Sequence, residues 1–437
     1  MQFTRSQIIF IAIGGLSGVI LLLILFGVLP GRREDINVTE ITVWGVEDTR
    51  VFQTITRQFE KLRPDVSISY RQFEEDTYER DLLNNLAAGE KPDVVMFENN
   101  WLLEHQDKLL PATFTIGTAG QAQLVEKFTL SQMQTFFPRV AEQDFTIKNE
   151  VYALPLYIDT LAMAYNRDLF DKGGVVFPPT TWEELGNTVG KLKLLEDNEL
   201  SRGAYAIGGT SKSVFNTSDI IQAMLLQGGV DMINAKHNLA LFGESEGKAV
   251  FEIYTRFSDP SSNFYSWNDS MQEATESFTK GDVTAIFVYS KEIRDLRARN
   301  SFLDIGVAPL PQLNTIEGVT IADYWGLSVF NGSIHPLEAW DFVVFATTNE
   351  EATQTYLDLT GNPPALRGLI ERNLDNPELG VFARQSLVAR SWLQPGEEVL
   401  RLAFDEAMNL VLSKELTPSK GLQRAAAIVT EALQKIE

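Results

Sequence analysis

The sequence predicts an α/β fold in two lobes, on three observations. At 437 residues the chain exceeds what one hydrophobic core organises, so two cores are expected. Residues 41–97 alternate strand and helix patterns as β-α-β-α-β, which implies a largely parallel sheet with helices on its faces. A strand-like run at 321–329 follows a long second α/β stretch, as expected of a chain that returns to its first sheet and leaves both lobes discontinuous.

The elements follow in order. Ile41–Val46 alternates and reads as a strand. Over 48–62, Val51, Phe52, Ile55 and Phe59 recur at helical spacing, Arg57 and Lys61 lie late, and Pro64 stops the helix. A second strand pattern covers 66–73. A helix covers 77–88, with Gly89 as its cap, and Pro92 precedes a short buried strand, Asp93–Phe97. Further on, 205–208, 283–288 and 305–310 read as strands, and 218–226, 247–257 and 271–280 as helices. From Pro336 the pattern is helical, in segments 336–347, 350–359, 366–372, 379–389, 396–412 and 419–436. Ligands of open α/β sheets bind beyond the carboxyl ends of the strands, which singles out the loops Gly45–Asp48, Phe73–Asp76 and Glu98–Trp101.

Ile8–Leu29 is a run of 22 uncharged, mostly apolar residues, long enough to span a bilayer. It lacks a small-residue cleavage pattern, and the chain has no cysteine to carry a lipid. The expectation is an uncleaved signal anchor at 8–29, a cytoplasmic tail at 1–7 and a linker at 30–40. Arg5 competes with Arg32 and Arg33 in setting its orientation.

A net charge of −22 argues against nucleic acid, whose phosphates would be repelled, and against docking on anionic lipid headgroups. The absence of cysteine excludes disulfides, thiolate metal sites and cysteine nucleophiles. His105, His237 and His335 stand apart without ligand-spaced neighbours along the sequence, and no nucleophile elbow, phosphate-binding glycine loop or calcium loop is present. No catalytic residue, metal or cofactor is expected. Carboxylates are plentiful, however, and a glycosidase needs only two of them roughly 5–10 Å apart, so a carbohydrate-active enzyme remains an alternative.

Aromatic residues in loops stand out instead: Trp101, Tyr157, Phe215, Trp267, Tyr289, Tyr324–Trp325 and Trp392. Sugars offer apolar faces to aromatic planes and hydroxyls to planar polar groups, and Glu98–Asn99–Asn100–Trp101 supplies both kinds. Trp182 and Trp340 sit in helical patterns and read as core.

The segment Tyr152–Leu185 joins Pro155 in an extended stretch, an apolar run, Asn166–Arg167–Asp168, paired glycines, paired prolines and a capped helix start at Thr181–Glu184. Leu86–Val95, Lys108–Pro111, Phe278–Ile286, Tyr324–Leu327 and Gly361–Pro364 accompany it in order. Together they resemble the bacterial extracellular solute-binding proteins related to maltose-binding protein. That resemblance implies a two-lobed periplasmic-binding-protein-like fold of type II, with lobe 1 formed by 41–157 plus 309–348 and lobe 2 by 158–308 plus 349–437. The hinge is expected at Tyr157–Asp159, near Pro309–Pro311 and near Ala346–Asn349. It implies a carbohydrate ligand, held by Glu47, Asp48, Glu98, Trp101, Tyr157, Asp159, Asn216, Ser218, Tyr289, Tyr324, Trp325 and Trp392, with Asp159 foremost. The implied partners are the permease subunits of an ABC importer, with the protein tethered outside the membrane. A polyamine or other cationic solute, and a sensor role on the same fold, are the alternatives.

Overall fold

A computed structural model describes residues 38–436 apart from 118–120, 198 and 315–317. The expected anchor at 8–29 and most of the linker lie outside the described residues. Among the described residues, no helix is long and apolar enough to cross a membrane.

The principal elements begin with β1 (Thr39–Gly45), α1 (Thr49–Leu62), β2 (Val66–Gln72), α2 (Tyr78–Ala87) and β3 (Val94–Glu98). Two short strands follow, β4 (Leu109–Leu110) and β5 (Ala153–Pro155). The chain then crosses as β6 (Asp159–Thr160) into β7 (Ala162–Asn166), α3 (Trp182–Leu192), β8 (Leu194–Glu196), β9 (Glu199–Tyr205), α4 (Thr217–Gln227), β10 (Val283–Val288), α5 (Ser290–Arg299) and β11 (Ile305–Pro309). It returns through β12 (Thr320–Asp323) to β13 (Trp325–Phe330), α6 (Pro336–Thr348) and α7 (Glu350–Thr360). It ends with β14 (Ala389–Arg390), α8 (Glu397–Leu412) and α9 (Pro418–Ile436).

The first sheet has the order β2-β1-β3-β13-β4, with β5 also paired to β13. β1 runs parallel to β2 and β3, while β13 comes back antiparallel to β3. The second sheet has the order β8-β9-β10-β7-β11. Each supports its own core. One gathers Phe52, Phe59, Met96, Leu327, Trp340 and Tyr356; the other gathers Trp182, Tyr205, Met224, Trp267, Phe287 and Phe404. Between them β6, β12 and β14 form a three-stranded ribbon that carries the crossings.

Three sequence expectations change. The strand ending at Tyr205 covers 199–205 rather than 205–208. Its first half is polar because it hairpins with β8 at the sheet edge, where one side meets water. The single run 321–329 breaks at Tyr324: β12 belongs to the ribbon and β13 to the first sheet. Finally, α7 was assigned to lobe 2 from residue 349. It packs instead on α1, and Ala352, Tyr356 and Leu357 enter the first core, because its apolar face continues the surface made by α6. The last crossing therefore lies beyond Leu369, which still belongs to the first core, and not near 346–349.

Candidate functional site

The first crossing is held tightly. Asp159 sits opposite Asp323 in the β6–β12 register. Only 4% of it is exposed, and its carboxylate accepts from Thr160 N (2.8 Å), Ser290 N (2.9 Å) and Ser290 Oγ (2.6 Å). Burial raises its pKa to about 6 against those donors. Its oxygens thus cap the start of α5 and pin the crossing strand to the second lobe.

The carboxyl end of β3 forms one wall. Trp325 pairs with Glu98 across β13–β3, and Trp101 meets the Trp325 ring edge-on at 5.2 Å. Glu98 accepts only from Asn100 Nδ2 at 2.9 Å. Burial, followed by repulsion from Glu397, lifts its pKa to about 8. Asp323 and Trp325 flank the break between β12 and β13, opposite Asp159 and Glu98 respectively, while Tyr324 turns into the first core. Tyr324 is fully buried, and its hydroxyl donates to Asp144 Oδ2 at 2.7 Å. It supports the wall from behind. Asp323 stays accessible, and among the described residues its carboxylate accepts no hydrogen bond and joins no ion pair. Although its surface meets solvent, the protein crowded around it desolvates the carboxylate, and this first, then Glu98, Glu397, Asp219 and Asp159, pushes its pKa well up.

The facing wall comes from the second lobe. Tyr289 donates its hydroxyl to Asp219 Oδ2 at 2.9 Å, in the first turn of α4. Asp219 is raised to about 7 by burial and then by Glu397. Glu397 opens α8, and its own shift is upward through burial. The preceding Gly396 adopts φ +81° and lies against lobe 1, where a Cβ would come 3.5 Å from Glu104 Oε1. Trp392 donates Nε1 to Gln222 Oε1 at 3.0 Å. Asn216 and Ser218 are buried: Asn216 donates to Phe287 O and Glu292, and Ser218 accepts from Gln222.

A third group flanks the crossing. Tyr157 stacks near Tyr356 at 6.4 Å, and Tyr356 donates to Glu47 Oε1 at 2.6 Å. Burial raises the Glu47 pKa, partly offset by that bond. Lys291 on α5 reaches Glu75 of the first lobe at 2.6 Å, and Arg294 donates to Gly361 O and to Asn362. Asp48 is exposed and spends its carboxylate on Arg50, capping α1. It stands apart from the others.

Glu98, Trp101 and Trp325 therefore gather at the edge of the first sheet, Tyr289 and Trp392 belong to the second core, and Tyr157 and Glu47 meet through Tyr356. Sequence reasoning missed Asp219, Asp323, Glu397 and Lys291, whereas Glu75 lies in the loop Phe73–Asp76 that it singled out. The one readable signal was the place of Asp323 immediately before the Tyr324–Trp325 pair. The helix-borne acids look like ordinary solvated residues until the lobes meet. Glu79, Glu104 and His105 bring ligand atoms within 4.8 Å of one another, with His105 Nε2 2.8 Å from Glu79 Oε1, a set that could hold a metal ion. A cavity of about 1030 Å³ lined by Trp182, Glu183, Arg256 and Phe264 lies on the second lobe and shares no residue with the junction.

Comparison with known proteins matches residues 54–377 to the profile described as bacterial extracellular solute-binding protein. A binding protein of Brucella abortus is 23% identical over 397 residues, covering 88% of this chain and 90% of that one. The maltotriose-binding protein of Pyrococcus abyssi is 25% identical over 360 residues, covering 80% of this chain and 70% of its own length. Among solved structures, the cyclic alpha-maltosyl-1,6-maltose binding protein from Arthrobacter globiformis superposes with a TM-score of 0.74 at 20% identity, covering 91% of this chain and 100% of that one.

Proposed function

The chain belongs to the bacterial extracellular solute-binding proteins, and from that premise we propose that it captures a carbohydrate between its lobes and delivers it to the permease of an ABC importer. The observation that carries this reading is the pairing at the junction. Trp101 and Trp325 stand with the Glu98 carboxyl on one lobe, and on the other Tyr289 is bonded to the Asp219 carboxyl and Trp392 to the Gln222 amide. Rings pack on the apolar faces of a sugar, and carboxylates accept from its hydroxyls. The relatives named for maltotriose and for a cyclic maltosyl saccharide support the same substrate class. In this reading lobe 1 is the body around the first sheet and lobe 2 the body around the second. Closure brings Glu98 and Trp325 toward Tyr289 and Asp219.

The test is thermal melting of the full-length chain against a panel of mono- and oligosaccharides and polyamines. A ligand at a hundred times its Kd adds about 2.7 kcal/mol to the native state, which raises the Tm visibly. A saccharide response is expected. A response to polyamines with none to any saccharide sinks the proposal. We propose also that residues 8–29 tether the binding domain outside the membrane, which keeps the trap concentrated near its permease. The full chain is expected in the alkali-resistant membrane fraction. A chain lacking residues 1–33 that stays there equally would refute the tether.

A further inference from the structure

We propose that the solute held at this junction is a saccharide carrying amino groups, so that ammonium charge meets the carboxylates of both lobes. This rests on the reading that the junction binds a carbohydrate and adds the charge of that carbohydrate. The site itself is given by the fold, where two lobes meet at a three-stranded ribbon beside aromatic rings. The acids specify what it prefers.

Four carboxylates converge there from four separate elements. Glu98 ends β3, and Asp323 ends β12, two residues before Trp325, the cross-strand partner of Glu98. Asp219 lies in the first turn of α4, which packs on β12. Glu397 is the first residue of α8, which packs on α4 and brings Gly396 against Glu104 of the first lobe. Among the described residues none of the four forms an ion pair. Glu98 accepts one amide hydrogen bond and Asp219 one hydroxyl, while Asp323 and Glu397 accept none. The cations nearby are committed. Lys291 is paired with Glu75, Arg294 is bonded to Gly361 O and Asn362, and Arg401, between Glu398 and Asp405, offsets Glu397 only in part. The starts of α4 and α8 offer partial positive charge to Asp219 and Glu397, which offsets only part of the repulsion.

A neutral sugar closing into this junction would give these crowded carboxyls only hydroxyl partners, and would leave in place their repulsion and the protons they take up to relieve it. Burying charge without a counter-charge is costly, and breaking even is the usual outcome for a well-made pair. An ammonium group supplies three donors and the missing charge at once. It also removes the mutual repulsion that pushes Glu98, Asp219 and Asp323 upward. The negative field of a chain at −22 would draw such a ligand in. A linear polyamine would satisfy the charge but leave the aromatic faces of Trp325, Trp392 and Tyr289 without a flat partner.

The experiment is titration calorimetry on the full-length chain at pH 7. The probes are glucosamine oligomers of one to four units, their N-acetylated counterparts, aminoglycosides, maltooligosaccharides and spermidine. At least one amino-bearing saccharide is expected to bind ten-fold or more tightly than its acetylated or neutral counterpart. That advantage should shrink several-fold between 50 and 500 mM salt, as screening predicts. The double variant Glu98→Gln, Asp323→Asn keeps the side-chain shapes and should lose most of the advantage while gaining thermal stability without ligand. Neutral sugars binding as tightly as amino sugars would overturn the inference and leave the carbohydrate reading standing. Failure of every amino-bearing saccharide overturns it as well. Binding of spermidine alone removes both readings. A preference for amino sugars that is indifferent to salt and survives in the double variant would show that the carboxylates are not its source.

Discussion

Replacing Asp144 with asparagine should stabilise the protein, by an amount that grows as the pH rises from about 4 to about 7. Asp144 is 1% exposed, and its Oδ2 accepts from Tyr324 Oη at 2.7 Å and from Asn99 Nδ2 at 3.0 Å. Its Oδ1 has no hydrogen-bond partner, the Ser391 hydroxyl lying near enough to pull on the charge without closing a well-formed bond. Burial outweighs Ser391, Tyr324 and Asn99 and raises the pKa from 3.8 to about 7. A carboxyl whose folded pKa is raised contributes stability that is fully present below the unfolded value near 4 and lost as pH rises through about 7. A shift of about three units corresponds to roughly 4 kcal/mol at full ionisation, and relaxation around the charge reduces this to about 2 kcal/mol. Asparagine can place its carbonyl where Oδ2 lies, keep both donors satisfied and turn its NH2 toward Ser391. Urea unfolding of both proteins at pH 4 and pH 8 measures the difference. The expected result is near equality at pH 4 and an asparagine advantage of about 2 kcal/mol at pH 8. An advantage that is the same at both pH values, or a loss at pH 8, would refute the account of Asp144 as a carboxyl held protonated by burial.

Two further outcomes follow from the packing. Gly203→Ala would place a methyl 2.7 Å from Trp267 Cε3 and 2.9 Å from Ser266 O. It should cost about 1–3 kcal/mol in denaturant unfolding, and a neutral result would mean that Trp267 can move aside. Lys291→Met breaks an ion pair between the lobes whose side chains are 60% and 46% exposed, so stability should change by less than about 1 kcal/mol. Small-angle scattering should nevertheless show a larger radius of gyration without ligand, and an unchanged radius would remove the pair as a clasp.

What could be read from the sequence depended on range. β1, β2, β3 and β10 announced themselves by alternation or short apolar runs between breakers, since local pattern and burial agree there. β9 was misplaced because its exposed hairpin half carries Glu199, Ser201 and Arg202. The assignment of α7 failed for a different reason: an amphipathic helix does not say which of two cores it will join. At the junction, Glu98, Trp101 and Trp325 were legible because strand ends are where such sheets place their sites. Asp159 lies where expected, but its oxygens are taken by Ser290. No sequence signal separates a carboxylate that caps a helix in another lobe from one that faces a cleft.

Asp159 and Asp323 face each other in register yet have opposite surroundings, and this locates the bend. Before the crossing, Leu156 N donates to Trp325 O at 3.0 Å, so the chain to that point belongs to the first sheet. From Asp159 onward the strand is clamped to α5 and paired with β12. Tyr157 and Ile158 lie between, and neither amide donates to any of the described backbone or side-chain acceptors. Two residues without backbone restraint between two restrained segments are where φ and ψ changes cost least, so lobe motion through this crossing should concentrate there. Hydrogen exchange resolved to single amides would show Tyr157 and Ile158 fast without ligand and slowed with it, and Thr160 slow in both states. Asp159→Ala removes the acceptor of Ser290 N and Oγ and should extend the fast segment to Thr160, with a stability loss of about 2 kcal/mol. If Thr160 exchanges as slowly in that variant as in the parent chain, the clamp is not what bounds the hinge, and the bend must be set by the β6–β12 pairing alone.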